Sequence, residues 1–111
     1  LVPDTLPDDT ALAYRGADGL VIITGCAHAG IANTVIQARK LTGETRVAAI
    51  IGGLHLLDPA PARLAATVDF LRQAGVAALY PCHCTSLAAK IALGQAAPVH
   101  DVGVGLVLQL D

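Results

Sequence analysis

Three apolar runs in this chain each lead into a short segment that carries a histidine. The segments are LVIITGCAHAG with His28, VAAIIGGLHL with His55, and AALYPCHC with His83. Short runs rich in Val, Ile and Leu, bounded by Gly or Pro, are typical of buried strands. If these strands are parallel neighbours joined by right-handed helical crossovers, their carboxyl ends lie at one edge of the sheet. The pattern therefore predicts that three imidazoles converge on one crevice.

The rest of the chain completes an α/β pattern in the order β-β-α-β-α-β-α-β. Gly and Asp at 16–19 predict a hairpin turn, and Asp58 followed by Pro59 predicts the start of the second helix, with the Asp58 carboxylate as its cap. Residues 1–10 are predicted to be an extended lead-in. The predicted strands are 11–15, 20–24, 46–51, 76–80 and 104–110, and the predicted helices are 31–41, 58–74 and a third helix that Thr85 or Ser86 caps and that ends at Leu93.

Composition restricts the kind of protein this is. Hydrophobic residues make up 54% of the 111 residues and aromatic residues 3%, which fits a single domain with a buried parallel sheet and Ala-rich helices. No apolar run approaches the roughly 20 residues of a membrane helix, and the net charge of −2 gives no basic surface for nucleic acid. We expect a cytoplasmic protein with reduced cysteines and a small-molecule substrate, with neither a membrane nor a nucleic acid as partner.

The first of the three histidine segments offers two candidate metal ligands, Cys26 and His28. A neutral imidazole is a good ligand for a divalent ion, and a thiolate there would be favoured by both a metal and the start of the following helix. A buried His28 bonded to a backbone carbonyl is the alternative. The predicted convergence with His55 and His83 favours the metal.

The third segment places His83 between Cys82 and Cys84. Neighbours in an extended segment point to opposite sides, so His83 and both thiols are not expected to face one ion. We favour His83 facing the crevice with the thiols packed as small apolar groups. A closed structural zinc site is the rival, although the spacings do not match paired Cys-x-x-Cys motifs.

The remaining candidates are less specific. His55 follows Gly52 and Gly53, where missing side chains allow close approach to a ligand, and it could bind metal, a substrate anion or a backbone carbonyl. Asn33 is ordinary in the first turn of a helix, although it could contact a ligand. His100 follows no comparable strand end and is expected at the surface.

Three linked motifs, TGCAHAGIANT, IIGGLHLL and YPCHCTSLAAKIAL, resemble the C-terminal half of a metallo-β-lactamase-fold hydrolase. Within that superfamily they are similar to the dihydropterin ribofuranosylaminobenzene phosphate synthase-like subgroup. The resemblance implies half of an αββα sandwich and one or two zinc, manganese or iron ions at the sheet edge. By position, His83 matches the last metal-binding histidine of the family, Cys26 falls where many relatives have a bridging aspartate, and His28 lies in the same loop.

The superfamily's His-x-His-x-Asp-His signature does not occur in these residues. We therefore expect a metal-dependent hydrolase-like protein present as its C-terminal half, inactive alone, whose partner is the N-terminal half or a homodimer mate. The alternative is a non-catalytic half-domain that dimerises or binds a partner and has lost the metal chemistry. A thiol redox domain that uses Cys82 and Cys84 is a third option.

Overall fold

The computed structural model describes residues 10–109, so the predicted lead-in lies outside the described residues except for Thr10. Four strands form one mixed sheet in the order β1-β2-β3-β4, and three helices connect or follow them. The elements are β1 (Ala11–Gly16), β2 (Gly19–Thr24), α1 (Ile31–Thr42), β3 (Val47–Gly52), α2 (Pro61–Ala74), β4 (Leu79–Pro81) and α3 (Leu87–Leu93). This α/β architecture confirms the predicted order for its first seven elements.

The sheet combines one hairpin with two parallel pairings. Strands β1 and β2 pair antiparallel around the predicted turn, with Gly16 opposite Gly19. Strand β2 then pairs parallel with β3, and β3 pairs parallel with β4. The carboxyl ends of β2, β3 and β4 therefore lie at one edge, as the sequence predicts for the three histidine segments.

All three helices contribute to a core on one face of the sheet. Alternate strand residues point into this core, among them Leu20, Ile22, Ile50 and Leu79, which are at most 1% exposed. The predicted apolar stripe of α1 (Ile31, Val35, Ala38) is buried against them, and α2 contributes Val68 and Leu71, with Leu64 partly buried. Burial on this face fixes the strand register, because a slip of one residue would expose every core side chain.

Two helix ends follow the predicted signals, and one helix start does not. Gly43 and Gly75 end α1 and α2 in left-handed conformations, and the Ser86 hydroxyl accepts a hydrogen bond from the Ala89 amide at the start of α3. The predicted start at Asp58 is wrong, because α2 begins at Pro61 after Ala60 with no side-chain cap. A proline does occupy the first helical position, as predicted, but it is Pro61 and not Pro59.

The last two predicted strands need correction. Strand β4 has three residues rather than the predicted five, and Pro81 is its last residue instead of its stop. No strand forms over the described residues 104–109 of the predicted last strand. The outer edge of β4 is already occupied, because the Leu79 amide donates to the Pro98 carbonyl and the His100 amide donates to the Leu79 carbonyl. A turn from Gly103 to Leu106 follows this segment.

The sheet face opposite the helices carries apolar side chains that solvent reaches. Leu12 pairs with Ile23, and Tyr14 pairs with Val21, so these residues share that face. Leu12, Tyr14 and Ile23 are 66%, 51% and 41% exposed. A patch of large apolar side chains of this kind is typical of a surface that packs against another layer.

None of the helices in the described part of the chain combines the length and hydrophobicity needed to cross a bilayer.

Candidate metal centre

The loops that follow β2, β3 and β4 are joined to one another by main-chain hydrogen bonds. The Gly53 amide donates to the Gly25 carbonyl at 2.9 Å, and the Cys82 amide donates to the Gly52 carbonyl at 2.8 Å. Further along, the Leu56 amide donates to the Cys84 carbonyl. These bonds hold the three loops together at the carboxyl edge of the sheet, where open α/β sheets place their ligand sites.

Three potential metal ligands meet in this region. Cys26 Sγ lies 3.3 Å from His83 Nε2, and Cys84 Sγ lies 3.6 Å from Cys26 Sγ. One ligand atom from each of the three residues lies within 4.8 Å of the others, which is close enough for one ion to contact all three. Thiolate and imidazole are the donors that zinc prefers in proteins, so the residues present fit a divalent metal of that class.

His28 and His55 form a second pair in the same region. Their ring centroids are 4.6 Å apart with an edge-to-face angle of 65°, and both side chains are exposed. Within residues 10–109, the group of three convergent ligands consists of Cys26, His83 and Cys84, so His28 lies outside it. Of the three predicted imidazoles, His28 and His55 therefore form the pair, and His83 belongs to the cluster at the same edge of the sheet.

Sequence reasoning placed both His83 neighbours away from the crevice, and the structure differs for Cys84. Cys82 Sγ contacts the Tyr80 carbonyl at 3.5 Å and lies outside the cluster. The chain turns at residues 83 and 84 instead of remaining extended, and Cys84 has a φ of 56°. The alternation rule for extended segments therefore does not apply at Cys84, whose sulfur lies beside Cys26.

Left-handed backbone conformations mark each of the three loops. Ala27, His55 and Cys84 have φ of 57°, 53° and 56°, and they are the non-glycine residues with positive φ in the described part of the chain. Such conformations cost free energy for residues with a Cβ and cluster at functional sites. Their distribution, one in each loop, supports a functional interpretation of this edge.

Gly53 lets the loops approach one another closely. A Cβ built on Gly53 would lie 2.6 Å from the Gly25 carbonyl oxygen and 2.9 Å from both His83 Nε2 and the His83 carbonyl oxygen. Only a residue without a side chain fits there. The sequence identified the Gly52-Gly53 pair as a site of close approach, and the structure shows that the partners are the backbone of the β2 loop and the candidate ligand His83.

The other residues singled out in the sequence have ordinary surroundings. Asn33 Nδ2 donates to the Ala29 carbonyl at 2.7 Å, which ties the start of α1 to the β2 loop. His100 is exposed, in keeping with its predicted surface position, and stacks on Tyr80 at 4.7 Å between ring centroids; it is not a member of the cluster. Asp58 is exposed and caps no helix.

Two buried threonines brace the loops, a role that the sequence did not indicate for either of them. The Thr24 hydroxyl donates to the Gly53 carbonyl at 2.7 Å. The Thr85 hydroxyl accepts from the Leu54 amide at 3.2 Å and donates to the His83 carbonyl at 3.3 Å. Each threonine is 7% exposed. Thr24 ends β2 and Thr85 lies in the loop after β4, and threonine is so common in both places that no sequence signal distinguished these two.

Replacement of Thr85 by valine is expected to destabilise the protein by about 1–3 kcal/mol, because the buried Leu54 amide would lose its hydrogen-bond acceptor. Urea unfolding monitored by circular dichroism measures the change. Thr85→Ser, which keeps the hydroxyl, is the matched control and should retain most of the stability that Thr85→Val loses. Equal stability of Thr85→Val and the wild type would show that the hydroxyl does not brace the loops.

Two of three comparisons with known proteins found relatives of the chain. No protein-family model matches the chain. The chain is 37% identical over 90 residues to the 7,8-dihydropterin-6-methyl-4-(beta-D-ribofuranosyl)-aminobenzene-5'-phosphate synthase of Methanocaldococcus jannaschii, a match that takes in 81% of this chain and 31% of the relative. It is 33% identical over 94 residues to an uncharacterized protein of the same organism, which takes in 85% of this chain and 34% of that relative.

A solved structure extends the similarity to the fold. The crystal structure of a metal-dependent hydrolase of the beta-lactamase superfamily superimposes with a TM-score of 0.83 at 32% sequence identity, over 91% of this chain and 40% of that chain. The chain thus spans about a third of the length of the curated relatives it matches. On sequence and fold together, the chain has part of the metallo-β-lactamase fold and is similar to the dihydropterin ribofuranosylaminobenzene phosphate synthase of Methanocaldococcus jannaschii.

Proposed function

We propose that this chain contributes half of the metal centre of a metal-dependent hydrolase-like or synthase protein. The observation that carries the proposal is the meeting of Cys26 and His83 at 3.3 Å, since the two residues come from loops 57 positions apart and are both potential metal ligands. Two further observations support the proposal: the thiol and imidazole donors at this edge, and the similarity to a metal-dependent hydrolase over 91% of the chain.

In this proposal Cys26 and His83 bind the ion, with zinc as the preferred metal because of the sulfur donor. A divalent ion held there would act as a Lewis acid and lower the pKa of a water molecule to near 7. His28 and His55 lie 4.6 Å apart at the same edge and are exposed. We propose that this pair binds a substrate anion or a second ion, with His28 as one of its ligands. Asn33, in the first turn of α1, would contact the substrate.

The chain is proposed to be inactive by itself and to be completed by the N-terminal half of the sandwich. Its match to 31–40% of the length of relatives supports this, as does the exposed apolar face of the sheet that carries Leu12, Tyr14 and Ile23. A second sheet packed there would bury that face, as in other two-layer sandwiches. The three cysteines are reduced, which suits a reducing cytoplasm.

Zinc titration of the purified chain tests the metal assignment. Cys26→Ser and His83→Ala are each expected to weaken zinc binding by more than about 100-fold, because even residues that only orient metal ligands are worth about 10–100-fold. His100→Ala is the matched control and should bind zinc like the wild type. Unchanged affinity in Cys26→Ser and His83→Ala would contradict the proposal, as would rapid hydrolysis of a chromogenic phosphate ester by the zinc-loaded chain alone.

The exposed sheet face favours a second candidate function, in which this chain is a non-catalytic module that pairs with another copy of itself. Size-exclusion chromatography with light scattering is expected to show a dimer in that case, and Tyr14→Lys together with Ile23→Lys should shift it to the monomer because charges on both strands would be buried. A stable wild-type monomer would count against this candidate.

A further inference from the structure

We propose that Cys84 is a third protein ligand of the metal, which makes the site a Cys2His centre that selects a thiophilic ion over manganese or magnesium. The inference rests on the proposed function, since it adds a ligand to the site that Cys26 and His83 form. It goes beyond the sequence expectation, in which the thiols next to His83 were packed as apolar groups.

The distances in the cluster resemble the edges of a tetrahedral zinc site. With Zn–S near 2.3 Å and Zn–N near 2.0–2.1 Å, tetrahedral angles place two sulfurs about 3.8 Å apart and a sulfur and a nitrogen about 3.5 Å apart. The observed separations are 3.6 Å between Cys84 and Cys26 and 3.3 Å between Cys26 and His83. The remaining pair, Cys84 with His83, lies within the 4.8 Å limit of the group. An ion at the centre would therefore need to shorten the Cys84–His83 separation by at most about 1.3 Å.

The backbone conformation at Cys84 places its sulfur beside that of Cys26. Its φ of 56° turns the chain directly after His83, and its carbonyl accepts a hydrogen bond from the Leu56 amide in the β3 loop. The Ser86 amide donates to the Leu56 carbonyl at 2.9 Å, so the segment is held on both sides. A left-handed conformation at a residue with a Cβ persists only where the surroundings require it, and here it brings a second thiol to the first.

Ligand chemistry decides which ion this set prefers. Two thiolates and one imidazole are soft or borderline donors, which suit zinc and cobalt, whereas manganese and magnesium prefer carboxylate, carbonyl and water oxygens. The described residues supply three such donors in one group, and the His83 side chain is exposed. Three protein ligands leave a fourth position for water, substrate or a ligand from outside this chain, which is the pattern of a catalytic and not a closed structural zinc site.

Cobalt substitution tests the role of Cys84, because each cobalt–thiolate bond adds a charge-transfer absorption in the near ultraviolet. Cys84→Ser is expected to lose about half of this absorption and to reduce the preference for zinc over manganese at least tenfold. Cys82→Ser, which changes the other thiol next to His83, should leave both quantities unchanged. Full wild-type absorption in Cys84→Ser would overturn the assignment, whereas failure of the wild type to bind cobalt or zinc at all would overturn the proposed function as well.

A second measurement on the wild-type chain avoids dependence on a variant that folds poorly. Alkylation by iodoacetamide, mapped by mass spectrometry, is expected to slow at least tenfold at Cys26 and Cys84 when zinc is added, with no zinc-dependent change at Cys82. Zinc protection of Cys26 without protection of Cys84 would refute the role of Cys84 and leave the metal site of Cys26 and His83 intact.

Discussion

Gly53→Ala is expected to abolish tight zinc binding and to destabilise the chain by about 1–3 kcal/mol, the usual cost of forcing extra volume into a packed site. The added methyl group would lie 2.6 Å from the Gly25 carbonyl oxygen and 2.9 Å from His83 Nε2. The Gly25 oxygen cannot move away without lengthening the hydrogen bond that it accepts from the Gly53 amide, which joins the two loops. The His83 ring would therefore be displaced from Cys26.

The control for this prediction is Gly103→Ala. Gly103 has no atom within 4 Å of the position of an added Cβ, so alanine there should change neither stability nor zinc affinity. Urea unfolding and zinc titration of the two variants give a direct comparison. Wild-type zinc affinity in Gly53→Ala would mean that the close approach of the loops is not needed to place His83.

Leu79→Ala is expected to have the largest effect on stability, a loss of about 2–5 kcal/mol. Leu79 is fully buried, and it lies in the three-residue strand that carries His83 and Cys84 to the sheet edge. Small domains have little stability to lose, so most of this variant should be unfolded at room temperature and should bind zinc poorly.

Leu87→Ala makes the same chemical change at an exposed site and serves as the control for Leu79→Ala. Leu87 is 74% exposed at the start of α3, so its truncation should change stability by no more than about 0.5 kcal/mol. Thermal unfolding of both variants in parallel measures the difference. Similar melting temperatures for the two would contradict the assignment of Leu79 to the core.

The sequence predicted those parts of the fold that local patterns determine. The buried strands and the buried faces of α1 and α2 were predictable because hydrophobic residues recur with the period of each element. Gly43 and Gly75 indicated where the two helices end. The predicted last strand does not form over the described residues 104–109, and the segment at 98–100 takes the edge of β4 instead. Edge availability is a property of the tertiary structure that hydrophobic alternation does not contain.

The candidate site was predictable to the extent that strand direction determines it. Parallel β2, β3 and β4 bring the three loops to one edge, so the meeting of Cys26 with His83 follows from topology. The place of Cys84 does not follow, because it depends on a left-handed turn at a residue that rarely adopts one. The pairing of His28 with His55 likewise depends on loop conformations that the sequence pattern leaves open.

X-ray absorption at the zinc K edge of the one-to-one zinc complex tests most directly whether these loops form a metal centre. Two sulfur neighbours at about 2.3 Å and nitrogen or oxygen neighbours at about 2.0 Å are expected, since Cys26, Cys84 and His83 would surround the ion. A spectrum with nitrogen and oxygen neighbours alone would contradict the account, because it would place the zinc away from both thiols.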